Sequence, residues 1–159
     1  MSRQIPLAYR LLFLAVEPLA ALFGALLLVR DPARFLASMS PTAALAASNK
    51  VIYDQLAATY VLLGWTEGVV LRLAGTSQDS GPTMRIWRGV LAGVLVCDAM
   101  HLYGSWDALG GEVFWRPARW RGEDWGNLGF LWAMAGARLA FLLGVGLGTR
   151  KARGKGRES

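Results

Sequence analysis

Long apolar segments set the tightest limit on what this chain can fold into. Residues 7–29 are apolar apart from Tyr9, Arg10 and Glu17, and a helix of roughly 20 apolar residues crosses a hydrocarbon core about 30 Å thick. The segment is too long for the apolar part of a cleaved signal peptide, and no small-residue cleavage site follows Glu17. Only 18% of the residues are charged, while 54% are hydrophobic. We therefore predict an integral membrane protein rather than an ordinary soluble domain.

Three further segments have the composition of membrane spans: residues 51–74, 86–106 and 127–148. The glycine- and proline-containing stretch 75–82 separates the second span from the third, because a helix does not easily continue through it. No segment alternates apolar and polar residues with period two, and lipid offers no partner for an open strand edge. The predicted fold is all-α: one four-span transmembrane helical bundle over residues 1–149, followed by a basic tail at 150–159.

Two long loops lie on the same side of this predicted bundle. The loop 30–50 is expected to hold a short interfacial helix around residues 41–47. The loop 109–126 interleaves aromatic and basic side chains, which is typical of the lipid headgroup zone; these are Trp115, Arg116, Arg119, Trp120, Arg121 and Trp125. Two interpretations of this second loop stay open: simple interfacial anchoring, or a functional lid over a cavity.

The distribution of basic residues predicts an orientation. An even number of spans puts both termini on one side of the membrane, and that side carries ten of the 17 Lys and Arg residues. The opposite side carries six, and Arg138 lies inside a span. Because basic residues collect on the cytosolic side, we predict cytosolic termini.

Composition also excludes several classes of function. The only cysteine is Cys97 and the only histidine is His101, so no disulfide framework and no zinc site built on several thiolates or imidazoles is expected. The net charge of +6 comes largely from five cations in the last ten residues, which suits a membrane surface better than a nucleic acid. No phosphate-binding loop or nucleophile elbow is present. We predict no cofactor, no metal and no nucleic-acid partner, with the lipid bilayer as the main surroundings.

Several ionisable residues fall inside the predicted spans: Glu17, Glu67, Asp98, His101 and Arg138. A charged side chain at mid-bilayer costs at least about 2.5 kcal/mol, so such residues are candidates for function. A helical rise of about 1.5 Å per residue puts all five at about 10 to 25 Å from the cytosolic end. We therefore expect them to line one polar cavity.

The balance of charges in this set suggests proton transfer. Three carboxyl groups face one permanent cation, Arg138, so at least one carboxyl is expected to be protonated at neutral pH. Asp98 and His101 are three residues apart and share a helix face, so the carboxylate is expected to orient the imidazole. Arg138 is expected to pair with Glu17, which lies at a similar depth, and to leave Glu67 and Asp98 without a permanent counter-charge. The alternative is a purely structural ion pair that lets the helices insert.

Short motifs distributed over residues 5–148 form a recognisable pattern. They are Ile5-Pro6, Tyr9-Arg10, Val16-Glu17-Pro18, Glu67, Leu71-Arg72, Cys97-Asp98, His101-Leu102-Tyr103, Trp125 to Asn127, Arg138 and Gly144. This pattern resembles a family of small fungal integral membrane proteins, some members of which act as hydrolases in polyene-pyrone polyether pathways of the citreoviridin and aurovertin kind. The layout is also similar to the sterol isomerase and sigma-2 receptor family and to membrane terpene cyclases.

The resemblance implies epoxide opening in an apolar polyketide or terpenoid, by water or by an internal hydroxyl. That reaction needs an acid for the ring oxygen and a base for the attacking oxygen. Glu67 and Asp98 are the expected acid and base, in an order left open, with Glu17 as a third candidate. His101 is expected to support catalysis and Arg138 to keep one carboxylate ionised. Expected supporting and substrate-binding residues are Tyr60, Trp65, Tyr103 and Asn127.

Other functions stay open beside this one. A non-enzymatic lipid- or sterol-binding protein and a sterol isomerase-like enzyme both fit buried acids in a membrane bundle. A structural assembly subunit would use the acids only in tight pairs. The expected location is the endoplasmic reticulum membrane, and a homo-oligomer is possible.

Overall fold

The computed structural model describes residues 3–148, and this part of the chain is all-α. It contains no strand, only an isolated antiparallel bridge between Gln4 and Ser77. The prediction of an all-α fold is therefore confirmed. The six helices are α1 (Leu7–Arg30), α2 (Pro32–Met39), α3 (Ala47–Ala74), α4 (Gly81–Leu109), α5 (Gly111–Phe114) and α6 (residues 122–142).

Three of these helices, α1, α3 and α4, are long and apolar enough to cross a membrane. Their outer faces carry large exposed apolar side chains, such as Leu19 and Phe23 on α1 and Leu73 on α3. Such faces suit lipid and not water. The structure thus supports a membrane protein with transmembrane helices, and α1 begins at the predicted residue and ends one residue later than predicted.

Helix α6 covers the predicted fourth span only in part. It ends at Leu142, whereas the sequence predicted a helix up to residue 148. The chain turns there because Gly144 and Gly146 adopt φ values of +82° and +71°, which only glycine adopts without strain. Helix α6 is also not among the three helices of span-like length and hydropathy within residues 3–148.

The short helix of the first long loop lies earlier than predicted. The sequence suggested residues 41–47, but α2 occupies Pro32–Met39. Asp31 caps this helix, since its Oδ1 accepts a hydrogen bond from the Arg34 backbone N–H at 3.1 Å, and Pro32 fits the first helical position. The Asp-Pro pair was the signal in the sequence, and the prediction of a helix at 41–47 was wrong.

Close helix contact occurs at glycines of α3, not at those of α6. A Cβ added to Gly64 would lie 3.2 Å from the carbonyl oxygen of Pro18, and one added to Gly68 would lie 3.2 Å from Pro18 Cβ. Glycine therefore lets α3 approach α1 closely. Around Gly136 of α6, by contrast, no atom of residues 3–148 lies within 4 Å of an added Cβ.

Residues 3–6, 75–80 and 144–148 meet at one end of the bundle, where hydrogen bonds connect them. Backbone N–H of Ile5 donates to the carbonyl of Thr76 at 2.8 Å, and Gly148 N–H donates to Gln78 Oε1 at 3.0 Å. An apolar core fills this end, made of Ile5, Phe13, Leu71, Trp87, Leu91, Met134 and Phe141. A smaller cluster joins α1, α2 and α3 toward the other end, made of Ala25, Leu28, Phe35 and Ala57.

Candidate functional site

Arg138 is the centre of a buried cluster of charged side chains. Its side chain is completely inaccessible to solvent. Nη1 donates to Asp98 Oδ2 at 2.5 Å, and Nη2 donates to Glu17 Oε1 and, at 3.3 Å, to Glu67 Oε1. One guanidinium on α6 thus binds carboxyl groups from α1, α3 and α4.

These contacts correct one prediction and confirm another. The expected pairing of Arg138 with Glu17 is confirmed. The expectation that Glu67 and Asp98 would lack a permanent counter-charge was wrong, because both contact the same guanidinium. The planar fork of arginine explains the difference, since its two terminal nitrogens present donors to several acceptors at once.

Local irregularities of the helices lie beside the site residues. A π-helical segment, Leu12–Val16, ends immediately before Glu17. A second, Thr66–Val70, contains Glu67, and a third, Trp125–Gly129, contains Asn127. Such one-turn π segments insert a residue into a helix, turn the following side chains, and occur frequently at functional sites. The sequence pattern gave no sign of them.

All three carboxyl groups are almost completely removed from water. The exposed fractions are 0% for Glu67, 4% for Asp98 and 6% for Glu17. Glu17 Oε2 and Glu67 Oε2 are buried and find no hydrogen-bond donor among residues 3–148, and leaving such an atom unpaired costs about 1 to 3 kcal/mol. Buried polar atoms without a hydrogen-bond partner are rare in folded proteins, and a catalytic role is one explanation for them.

A cavity of about 820 Å³ reaches two of these three acids. Glu17 and Asp98 form part of its wall, whereas Glu67 and Arg138 lie behind that wall. Most of the remaining lining is apolar, contributed by α1, α2, α3 and α6, for example by Phe23, Leu63 and Met134. The volume suits one ligand of moderate size.

Three of the residues predicted to support the site line this cavity: Tyr60, His101 and Asn127. His101, however, does not orient Asp98 as predicted. Its Nδ1 faces Cys97 Sγ at 4.0 Å, and the Asp98 carboxylate is taken by Arg138. A shared helix face was therefore a correct inference for Asp98 and His101, but it did not specify which partner each side chain would find.

Two predicted supporting residues lie away from the cavity. Tyr103 is 66% exposed and Trp65 is 60% exposed, and neither contributes to the cavity wall. Tyr103 follows Asp98 by five positions, which turns it about 140° around α4. Tyr103 instead belongs to an aromatic surface groove with Trp106, Trp115 and Trp132. The predictions of Tyr103 and Trp65 as site residues were wrong.

The rim of the cavity contains polar groups that the sequence did not single out as site residues. Arg121 binds Asp124 through Nε and Nη2, with 2.7 Å between Nη2 and Oδ1. Hydrogen bonds from the Arg121 side chain are the main reason that the pKa of Asp124 lies below its usual range. Arg121 Nη1 also donates to the carbonyl of Ala37 at 3.3 Å. Arg121 thereby connects the start of α6 to α2 at the rim of the cavity.

This arrangement bears on the open question about the loop 109–126. Arg121 and Glu123, together with Arg34 and Ser38 of α2, line the outer part of the cavity. The end of the loop therefore borders the cavity in addition to carrying aromatic side chains. Its signal in the sequence was the spacing of Arg121 and Asp124, an i,i+3 pair at a helix start.

Within residues 3–148, no group of three or more His, Cys, Asp and Glu side chains is arranged to hold a metal ion. The functional groups that the described residues bring together at the site are three carboxyl groups and one guanidinium. Carboxyl groups accept and donate protons, and a guanidinium stabilises negative charge.

Comparisons with known proteins identify a family for nearly the whole chain. A search of curated proteins and a search of solved structures gave no significant match. A family model described as a domain of unknown function, DUF7704, matches residues 2–148. The chain therefore belongs to the DUF7704 family.

Proposed function

We propose that this protein is a cofactor-independent membrane enzyme that opens epoxides of an apolar polyketide or terpenoid, as a hydrolase or a cyclase. One observation carries the proposal. Glu17 and Asp98 come from different helices, open into the same largely apolar cavity and are held by one guanidinium. An acid and a base on one cavity are what epoxide opening requires.

The contacts of Arg138 favour one order of acid and base. Asp98 has Nη1 to itself, so we assign it as the ionised base. Glu17 and Glu67 share Nη2, and two carboxylates at one donor repel each other unless they share a proton. Their unpaired Oε2 atoms fit such a shared proton. Glu17 lines the cavity and donates this proton to the substrate. Glu67 does not line the cavity and shares the proton with Glu17.

The proposed step is balanced in protons. Glu17 donates a proton to the epoxide oxygen as one carbon–oxygen bond of the ring breaks. A water molecule or a substrate hydroxyl attacks the carbon atom of the breaking bond from the opposite face and gives its proton to Asp98. Proton exchange between Asp98 and Glu17, through solvent that enters at the polar rim, restores the starting state. Tyr60 and His101 lie on the wall and contact the substrate.

The apolar walls support a substrate that partitions into the bilayer. Phe23 lines the cavity and is 65% exposed on the outer face of α1. A side chain at both surfaces marks a place where the cavity is separated from lipid by a single residue. An apolar substrate would enter beside Phe23 without crossing water, which gives a reason for the enzyme to be embedded in a membrane.

The proposed topology has four spans with both termini in the cytosol, in the endoplasmic reticulum membrane. Helix α6 lies against α4, and its carboxyl end reaches the same end as residues 3–6 and 75–80. This is supported by a hydrogen bond from Tyr9 Oη to the carbonyl of Val145 at 2.9 Å. An even number of crossings is the arrangement in which those segments share a side.

A non-enzymatic lipid- or sterol-binding protein is the second candidate. The observation in its favour is that Arg138 engages all three carboxyl groups, as a structural ion cluster would. The cavity then holds an apolar ligand without changing it. A sterol isomerase-like enzyme is a variant of the first candidate, in which the same acids move a proton between carbon atoms.

The test is incubation of membranes containing the protein with synthetic polyene epoxides in H₂¹⁸O. The native protein is expected to produce a diol carrying one ¹⁸O atom, or a cyclic ether without it. Glu17→Gln and Asp98→Asn should each reduce turnover by about 10² to 10⁴-fold. Asp54→Asn is the matched control, because Asp54 is an acid of α3 that pairs with Lys50 at the exposed end of the helix.

Each result separates the two candidates. Turnover by the native protein and by Asp54→Asn, but not by the two site variants, supports the enzyme. Saturable binding of the intact epoxide by all four proteins, without any product, supports the binding protein and overturns the catalytic proposal.

A further inference from the structure

The two ends of the cavity differ in chemistry. Its inner end carries Glu17 and Asp98, and its outer rim carries Arg34, Ser38 and Arg121. Along α1 the lining extends from Glu17 to Leu27, which corresponds to about 15 Å at the rise of a helix. A ligand that fills the cavity therefore meets polar groups at both ends and mainly apolar walls between them.

The cations of the rim are not equivalent. Arg121 is bound by Asp124, and Glu123 adds a second negative charge near it. Arg34 has a fixed backbone, because its N–H donates to Asp31 Oδ1. Its guanidinium, however, takes part in none of the ion pairs formed among residues 3–148. Arg34 is the rim cation that is left for a ligand.

We infer that the ligand is a long-chain amphiphile with an anionic head group, bound by Arg34 at the rim, and with its apolar chain directed toward Glu17 and Asp98. The inference rests on the proposed function in treating this cavity as the substrate site. A guanidinium binds a carboxylate through two parallel hydrogen bonds, and the position of Arg34 along the chain is fixed by its backbone hydrogen bond to Asp31. The head group then sets which carbon of the chain lies at the acids, about 15 Å away along α1.

The test uses a conjugated tetraene fatty acid and its methyl ester, whose fluorescence rises in an apolar site. Both are titrated into full-length protein in phosphatidylcholine nanodiscs at about pH 9, where the carboxyl group is ionised. Empty nanodiscs correct for partition into lipid. The native protein is expected to bind the acid about tenfold more tightly than the ester, as one charge-assisted contact predicts.

Arg34→Gln should bring the ratio of the two affinities to about one, and Arg34→Lys should restore part of it. Arg30→Gln is the matched control, since Arg30 is an exposed arginine at the end of α1 that does not line the cavity. Arg34 is exposed, so its replacement leaves the fold intact, and a thermal melt checks this. Equal binding of acid and ester by the native protein overturns the inference, as does a ratio unchanged in Arg34→Gln.

The same variants distinguish this inference from the proposed reaction. Glu17→Gln and Asp98→Asn should keep the ratio of acid to ester binding while losing epoxide opening. If the native protein shows the ratio and no turnover, head-group binding stands and the catalytic proposal fails. If it turns over epoxides and binds acid and ester equally, the catalytic proposal stands and Arg34 has no role in recognition.

Discussion

Arg138 donates from Nη1 to Oδ2 of Asp98 across a distance of 2.5 Å, and this contact joins α6 to α4. Both side chains are buried, at 0% and 6% exposure. The same guanidinium uses Nη2 for Glu17 and Glu67. A single cation thus ties four helices together at the inner end of the cavity, and removing it affects three acids at once.

Arg138→Leu should destabilise the protein by at least about 3 to 5 kcal/mol, because it leaves buried carboxyl groups without a cation. Because Glu67 and Asp98 also contact Arg138, adding Glu17→Leu should recover only part of this loss. Adding Glu67→Leu and Asp98→Leu should recover more. Thermal unfolding in detergent measures each step, and full recovery in the double variant would show that Glu67 and Asp98 do not depend on Arg138.

Glu67→Gln should reduce turnover less than Glu17→Gln or Asp98→Asn. Glu67 lies behind the cavity wall and reaches the substrate only through the proton it shares with Glu17. We expect a loss of about tenfold for Glu67→Gln, against about 10² to 10⁴-fold for the two residues of the wall. Rates with a polyene epoxide at saturating concentration provide the comparison. A loss in Glu67→Gln as large as in Glu17→Gln would mean that Glu67 itself acts on the substrate.

Gly64→Leu should destabilise the protein, because a Cβ there meets the Pro18 carbonyl oxygen at 3.2 Å and Leu22 Cγ at 3.3 Å. Overpacking of this kind costs about 1 to 3 kcal/mol. Gly136→Leu is the control on another helix, where no atom of the described residues lies within 4 Å of the added Cβ, and a change within about 0.5 kcal/mol is expected. Melting temperatures in detergent measure both effects. A larger loss of stability in Gly136→Leu than in Gly64→Leu would place the tight interface on α6.

Asp124→Asn should destabilise the protein in a pH-dependent manner. Hydrogen bonds from Arg121 lower the pKa of Asp124 in the folded state. Its ionised form therefore stabilises the fold above the unfolded pKa of about 3.9, and this contribution is lost as the pH falls through the lower folded value. The free energy of unfolding of the native protein should exceed that of Asp124→Asn by about 1 to 3 kcal/mol near neutral pH.

The difference between these two proteins should shrink below about pH 4, when the carboxyl group takes up its proton. Unfolding at a series of pH values measures it. Glu123→Gln changes the neighbouring, exposed acid and should show a much smaller difference. A gap between native protein and Asp124→Asn that stays constant down to about pH 2 would assign the effect to side-chain geometry and not to charge.

Reporter fusions test the four-span proposal. A reporter in the loop 75–80 and one after the last residue should lie on the same side, and one in the loop 110–121 on the other side. Three crossings, with α6 not spanning, would put the reporter at the carboxyl end on the side of the loop 110–121. That outcome would contradict the proposed topology while leaving the three apolar helices as they are.

The helical membrane character of the chain and the members of its charged cluster follow from the amino-acid sequence alone. Long apolar segments are local properties, and they located α1, α3 and α4 to within a few residues at most ends. The cost of charge in lipid made Glu17, Glu67, Asp98 and Arg138 conspicuous, and the structure brings these four together. Each of these four residues is costly to expose to lipid on its own, and this cost explains why all four are buried inside the protein.

The side of each helix that faces a given neighbour depends on how the whole bundle packs. The π-helical segments before Glu17 and around Glu67 turn these side chains relative to a regular helix, and nothing in the hydrophobic pattern predicts them. Facing direction sets which acids reach the cavity and why Tyr103 lies outside. The rim formed by Arg34 and Arg121 joins segments 87 residues apart in the chain, and such contacts depend on how whole helices pack, which no local pattern records.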